Sequence, residues 1–271
     1  MSVKSRRTLL LASGALLAAA AVVVPVVVGT ASADPASANQ PRIVGGDKAS
    51  LADHPYAVYL TDAGGNQFCG AVIVSSTAVA TAAHCAKAVA KQDVRVVAGR
   101  EDKRTGDGQV LGVSKVWISK GYSDPTRGDD VAVLTVRGQL DYRPAKLPAS
   151  SDTASYREGT KATVLGWGRV ADGGDRSDYL RSARVPVVSD SACRSDYTVY
   201  DQRTMVCAGY DEGGIDACQG DSGGPLVVGD TLIGIVSFGD GCAKANKPGV
   251  YTRVSTYAED IKTQAKPRLL G

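Results

Sequence analysis

From position 43 onward the chain is a succession of short apolar runs separated by Gly, Asp and Ser. The runs at 56–60, 71–74, 94–97, 131–136, 162–165 and 231–236 are four to six residues long and rich in Val, Ile and Leu. Branched and aromatic side chains suit a pleated, half-buried surface, and Gly and Asp supply the turns between them. Many short strands at close spacing predict an all-β sandwich or barrel. Only 255–264 carries a helical period, with Tyr257, Ala258 and Ile261 on one face and Glu259, Asp260 and Lys262 outward. The stretch 143–159, with Pro144, Pro148 and a Ser/Asp cluster, is the best candidate for a connection between two halves.

The first 42 residues follow a different rule. Lys4, Arg6 and Arg7 precede an apolar run at 8–28, and Ala31-Ser-Ala33 offers small residues in an A-x-A pattern. This describes a signal peptide over 1–33, which predicts a secreted, extracellular product. The apolar run is near the length of a membrane span, but Pro25 and the cleavage pattern favour removal. Ser5-Arg6-Arg7 leaves the Sec and twin-arginine routes both open. The polar piece 34–42, with Pro35 and Pro41, reads as a propeptide.

Charge narrows the partners. The leader to Arg42 carries Lys4, Arg6, Arg7 and Arg42 against Asp34, which takes the chain's 31 basic and 28 acidic residues to 27 of each. A nearly neutral mature surface gives no electrostatic basis for binding nucleic acid or an acidic membrane. The cysteines at 69, 85, 193, 207, 218 and 242 are even in number, which in an exported protein reads as three disulfides in any of 15 pairings. No C-x-x-C occurs and the two histidines lack paired-ligand spacing, so no metal site is expected.

The candidate chemistry centres on Asp216-Ala-Cys-Gln-Gly-Asp-Ser-Gly-Gly-Pro225, where glycines flank Ser222 and permit close approach of a substrate. A G-x-S-x-G also fits the nucleophile elbow of α/β-hydrolases, whose histidine follows the serine. Here the only histidines, His54 and His84, both precede Ser222. An acid-first order is also poor, since only loop aspartates precede His84, which leaves His, Asp, Ser. His54, between Asp53 and Pro55, reads as a solvated loop residue. His84 closes the apolar run 78–83 beside Cys85, where a bridged cysteine would pin the turn. Asp130 opens the apolar run 131–136 at a core boundary, while Asp129 better suits an exposed turn; sequence alone does not separate the two.

Thr81-Ala-Ala-His-Cys85, Gly128-Asp-Asp-Val-Ala-Val-Leu134 and Gly220-Asp-Ser-Gly-Gly-Pro225 resemble the three signature stretches of the chymotrypsin/trypsin family of serine proteases. Ile43-Val-Gly-Gly46, Gly166-Trp-Gly168, Ser237-Phe-Gly239 and Pro248-Gly-Val-Tyr251 match as well, so the likeness runs from Ile43 to about Ala258. The resemblance implies two packed six-stranded antiparallel β-barrels, over about 43–150 and about 160–254, with a C-terminal helix and a peptidase domain spanning 43–271.

It implies a triad of His84, Asp130 and Ser222, with an oxyanion hole formed by the N–H groups of Gly220 and Ser222. Asp216 would lie at the base of a pocket bordered by Ser237, Gly239 and Gly249, selecting Arg or Lys before the cut. Cleavage between Arg42 and Ile43 would free an amino group to pair with Asp221. The implied disulfides are Cys69–Cys85, Cys193–Cys207 and Cys218–Cys242. No cofactor is implied, and the segment 99–112 lacks the spaced glutamates of the calcium loop of animal trypsins. Phe238 stands where the family usually has Trp. The partners expected are protein and peptide substrates and protein inhibitors of such enzymes, with no nucleic acid, no membrane after signal removal, and a monomeric state. A catalytically dead binding protein would be expected to lose a triad residue, and an esterase would make no use of Asp216.

Overall fold

The computed structural model describes residues 43–266. The signal peptide expected at 1–33, the propeptide expected at 34–42 with its Arg42, and positions 267–271 lie outside the described residues. A two-residue strand, β1 (Asp47–Lys48), comes first. The first half then contains β2 (Ala57–Thr61), β3 (Gln67–Ser75), β4 (Ala78–Thr81), a short helix α1 (Ala83–Ala88), β5 (Arg95–Ala98), β6 (Gln109–Ile118) and β7 (Ala132–Val136). β2 to β7 close into an antiparallel barrel in the order β2-β3-β4-β7-β6-β5. The interior of so small a barrel has room only for compact side chains. Its strands accordingly place Ala57, Ala71, Ala78, Ala80 and Ala98 out of solvent beside Val58, Val72 and Val96.

The second half contains β8 (Lys161–Gly166), β9 (Arg181–Pro186), α2 (Asp190–Asp196), β10 (Met205–Ala208), β11 (Pro225–Val228), β12 (Thr231–Phe238) and β13 (Gly249–Arg253). They form a seven-stranded sheet in the order β1-β9-β8-β11-β12-β13-β10. The expectation of six strands here is met with one addition: β1 joins the outer edge of β9, pairing Asp47 with Ser182. The other six come round on themselves through an isolated bridge between Val187 and Ala208. The Val188 N–H donates to the Cys207 carbonyl at 2.9 Å, and the Gly209 N–H to the Pro186 carbonyl at 3.0 Å. The barrel thus closes by a few bonds where β9 and β10 meet.

The six apolar runs all become strands, β2, β3, β5, β7, β8 and β12. The final helix, α3 (Val254–Ala265), buries Tyr257, Ala258 and Ile261 as its periodicity predicts. Two helices carry no such signal. α1 and α2 are six and seven residues long, and α2 buries only Cys193, too little for a visible period. Ser189 nevertheless caps α2, accepting from the Ala192 N–H at 3.4 Å. Segment 137–160 between the halves is irregular apart from one 3-10 turn at Ala154–Tyr156 and an isolated parallel bridge from Lys146 to Thr231. The disulfides join Cys69 to Cys85, Cys193 to Cys207 and Cys218 to Cys242, as the resemblance implied.

One apolar cluster spans both halves. Leu60, Val72 and Leu134 of the first barrel pack with Leu165, Trp167, Leu180, Leu232 and Ile235 of the second and with Tyr257 and Ile261 of α3. Trp167 is 2% exposed; its ring meets the edge of Tyr59 at 5.0 Å and its Nε1–H donates to the Glu101 carbonyl at 2.9 Å. Trp167→Ala removes a large buried side chain at the seam and one of the two donors to that carbonyl, which keeps the Leu180 N–H at 2.8 Å. The expected loss is about 3–5 kcal/mol of unfolding free energy. Denaturant titration should show a lower midpoint with little change in slope.

Candidate active site

His84 is the second residue of α1, immediately after β4, and Asp130 stands just before β7. Because β4 and β7 are paired neighbours, with Thr81 opposite Ala132, the two side chains emerge from adjacent strand ends. His84 Nδ1 lies 2.8 Å from Asp130 Oδ2, and the His84 backbone N–H donates to Oδ1 at 3.0 Å. Ser237 Oγ–H donates to Oδ2 at 2.6 Å, and the Thr252 hydroxyl donates to the Asp130 backbone carbonyl at 2.7 Å. Asp130 is 1% exposed. A carboxylate is an acceptor, so Nδ1 carries the ring hydrogen and Nε2 keeps a free lone pair.

That lone pair lies on the Ser222 side. Nε2 is 3.5 Å from the sulfur of Cys85, and the Ser222 carbonyl is 3.4 Å from the same sulfur. The Gly70 N–H of β3 donates to that carbonyl at 2.8 Å. The Cys69–Cys85 bridge thus sits against both the imidazole and the Ser222 backbone. Ser222 is half-buried, and its hydroxyl makes no hydrogen bond among the described residues. The structure therefore brings His84, Asp130 and Ser222 to one locality but does not join Oγ to Nε2 by a formed bond. In an unliganded site such contacts are often long and tighten only around substrate. Gly223, at φ +81°, must be glycine, since a Cβ there would strike the Thr81 hydroxyl and the Gly70 carbonyl.

A cavity of about 220 Å³ opens beside Ser222, lined by Asp216, Ser237, Gly239, Gly249 and Tyr251 among others. Asp216 is 4% exposed, and its Oδ1 accepts from the Ala217 N–H at 2.7 Å. Burial pushes its carboxyl up to about 7, reinforced by the charge of Asp221 and opposed by the N–H groups of Ala217 and Ala243. A Cβ on Gly249 would lie 2.6 Å from Oδ1, so only glycine leaves the carboxyl accessible. The Tyr251 hydroxyl is buried without a hydrogen-bond partner among the described residues, an orphan group that sequence reasoning did not single out. The Cys218–Cys242 bridge ties two walls of the cavity together.

Asp221, the residue before Ser222, is fully buried. Its Oδ1 accepts from the Gly168 N–H at 2.7 Å and its Oδ2 from the Cys218 N–H at 2.9 Å. Burial pushes it up to about 6, against the pull of those two N–H groups and of the Lys103 and Arg176 charges. Ile43 is likewise fully buried, and the next residue's carbonyl, on Val44, accepts from the Asp216 N–H at 3.2 Å. The segment 43–46 is therefore seated against the loop bearing Asp216.

Two sequence readings need adjustment. His54 is not freely solvated: it is half-buried, its Nδ1 is 3.0 Å from the Tyr56 hydroxyl, and burial lowers its pKa. Ser237, expected only at the substrate, holds Asp130 as well. Between the neighbours left open by sequence, Asp130 faces His84, while Asp129 adopts φ +56° and accepts from the Tyr257 hydroxyl at 2.8 Å. Tyr122 was missed: burial, with the Asp130 charge adding, pushes its hydroxyl up to about 12.

Comparison with known proteins gives one consistent answer. A family model described as Trypsin matches residues 43–261. "Trypsin" of Saccharopolyspora erythraea is 46% identical over 222 residues, covering 82% of this chain and 97% of that protein. "Trypsin-like protease" of Streptomyces glaucescens is 38% identical over 251 residues, 89% of this chain and 90% of the relative. "Trypsin" of Sus scrofa is 35% identical over 222 residues, 82% and 94% respectively.

The raised carboxyl of Asp216 has a measurable signature. Pushed up to about 7, the Asp216 carboxyl is neutral below that pH and negatively charged above it. A cationic guest would bind the charged form, so its entry would displace the proton. A small aromatic amidine should bind with constant affinity above this pH and about tenfold more weakly per pH unit below it. Calorimetry in two buffers of different ionisation enthalpy should record close to one proton released per amidine at pH 5.5. Binding without proton release would remove Asp216 as the receiving group.

Proposed function

The chain belongs to the trypsin family of serine endopeptidases, and from that membership we propose that it cuts proteins after Arg or Lys, using Ser222, His84 and Asp130. The buried carboxylate of Asp216, without a cationic partner among the described residues and in a cavity that also bears Ser222, supports this most directly. An arginine or lysine side chain reaching that floor supplies the missing charge. An apolar side chain would leave the anion sealed and unpaired.

In the proposed mechanism Ser222 Oγ attacks the carbonyl carbon of the scissile bond while its proton passes to His84 Nε2. The imidazolium that forms is held and stabilised by Asp130 through Nδ1. The carbonyl oxygen becomes an oxyanion and is received by the N–H groups of Gly220 and Ser222. One such donor is typically worth about 2.7–4 kcal/mol to the transition state. As the tetrahedral centre collapses, the C–N bond breaks and His84 returns the proton to the leaving amine. Water, deprotonated by the same nitrogen, then splits the acyl-enzyme ester and restores Ser222.

The precursor form belongs to the same proposal. Cutting between Arg42 and Ile43 would create an ammonium group, and the buried Asp221 is a carboxylate able to receive it. Arg42 itself fits the proposed specificity, so the enzyme is able to mature itself. Secretion follows from the leader and agrees with three disulfides in the described residues. Among those residues no helix is long and apolar enough to cross a membrane.

Two experiments test the proposal. Matured wild type should show kcat/KM values far higher for Arg and Lys peptides than for Phe or Leu peptides. Ser222→Ala should lower turnover of the Arg peptide by about 10⁶-fold. Equal rates on Leu and Arg peptides, or more than about a hundredth of the activity in pure Ser222→Ala, would defeat it. Separately, purified precursor carrying Arg42→Gln should remain unprocessed and inactive during incubation that matures wild type; mass spectrometry of the N-terminus reads this directly.

A further inference from the structure

A second cavity, of about 300 Å³, shares no lining residue with the first. Its walls include Gln67, Arg100, Lys103 and Val110. Two cations face it without acids of their own. Lys103 is half-buried, and its Nζ donates to the neutral Gln67 Oε1 at 2.8 Å. Arg100 is half-buried, and its Nε donates to the Asp107 carbonyl at 2.7 Å. Among the described residues neither is in an ion pair. The nearby acids are engaged elsewhere: Arg104 takes Asp102 at 2.7 Å and Asp178 at 3.8 Å. Burial lowers the Lys103 pKa, opposed by the charges of Asp178 and Asp221 and aided by that of Arg176. An ammonium has three N–H donors, and Gln67 occupies one of the Lys103 set.

The position of this cavity relative to Ser222 gives it a use. Gln67, 7% exposed, donates from Nε2 to the Gly220 carbonyl at 3.2 Å, one residue from Asp221 and two from Ser222. Lys103 therefore stands one side-chain amide away from the loop bearing the nucleophile. That span matches about two to three residues of extended chain at roughly 3.3 Å each. The lining of the Asp216 cavity comes wholly from positions 216–251, the second barrel. The start of β3, with Gln67 and Cys69, borders Ser222 from the first barrel instead. A substrate whose arginine fills the Asp216 cavity would thus leave the nucleophile over β3.

We propose that this second cavity is a subsite for an acidic side chain two or three residues beyond the cut, its carboxylate held by Lys103 and Arg100 and its methylenes against Val110. The subsite rests on the endopeptidase reading of Ser222 and Asp216. It gives the enzyme a preference on both sides of the bond: a cation before it and an anion shortly after it. Val110, 51% exposed, is the apolar rim such a side chain would cover.

The test uses internally quenched peptides cut after one Arg, with Glu, Asp, Ala or Lys at the second or third position beyond it. Wild type should favour Glu or Asp over Ala at one of those positions by about fivefold in kcat/KM, and disfavour Lys. The advantage should shrink toward unity at about 1 M salt, where screening shortens to a few ångströms. The Glu/Ala ratio, taken within each variant, cancels any change in basal turnover. Lys103→Met should collapse it, Lys103→Arg should retain it, and Lys103→Glu should turn the preference toward Lys. A flat ratio in wild type, or a Glu preference that survives Lys103→Met combined with Arg100→Gln, overturns the subsite while leaving cleavage after Arg intact. Absence of cleavage after Arg in every peptide overturns both proposals.

Discussion

The Asp130 carboxylate is almost sealed from water, and a polar group so placed persists only where its lone pairs meet donors. The donors come from distant parts of the chain: the imidazole and backbone N–H of His84 in the first half, and the hydroxyl of Ser237 in the second. Thr252 fixes the backbone of the same residue from β13. One side chain is thereby bonded to both barrels. If the halves shifted by an ångström, the Ser237 and Thr252 bonds of 2.6 and 2.7 Å would open and leave the buried Asp130 with only its His84 donors. The apolar seam around Trp167 and Leu165 supplies most of the cohesion between the halves, and Asp130 supplies the register.

Two further buried acids share the loop between β10 and β11 that bears Ser222, and serve a different end. Asp216 and Asp221 are held above the ordinary carboxylate range because their N–H partners do not offset burial. They are also close enough for the charge of Asp221 to raise Asp216. Such groups store unfavourable desolvation that a cation can relieve. A guest reaching Asp216 relieves it from outside, and a new amino group meeting Asp221 would relieve it from within. Because the two charges repel, quenching Asp221 also makes ionisation of Asp216 easier. Under the proposed activation, maturation and substrate binding would in this way be coupled electrostatically.

Much of this was legible in the sequence because it depends on local residue types. Runs such as Ala-Val-Leu-Thr-Val at 132–136 announce a buried strand, and a serine among glycines announces close backbone approach. The period of α3 was readable because its apolar face recurs over three turns. What escaped was set by contacts between distant positions. The Ser237 hydroxyl meets Asp130 across 107 residues, and Gln67 meets Gly220 across 153. No spacing rule encodes either pair. α1 and α2 were invisible because six or seven residues with one or two buried side chains carry no periodicity. β6 was also missed, since its residues are half-exposed on both faces and neither alternate cleanly nor form an apolar run.

β1 carries a consequence for the order in which the molecule can be assembled. Asp47 and Lys48 precede every strand of the first barrel, yet their partners are Ser182 and Arg181, more than 130 positions downstream. The earliest segment of the folded region to be synthesised must therefore remain unpaired until two-thirds of the chain exists. Closing so long a loop is entropically costly and slow, and it delays the seating of Ile43 until after the second barrel has formed. A chain built this way keeps its leading end free for most of its synthesis, whatever machinery reads that end first.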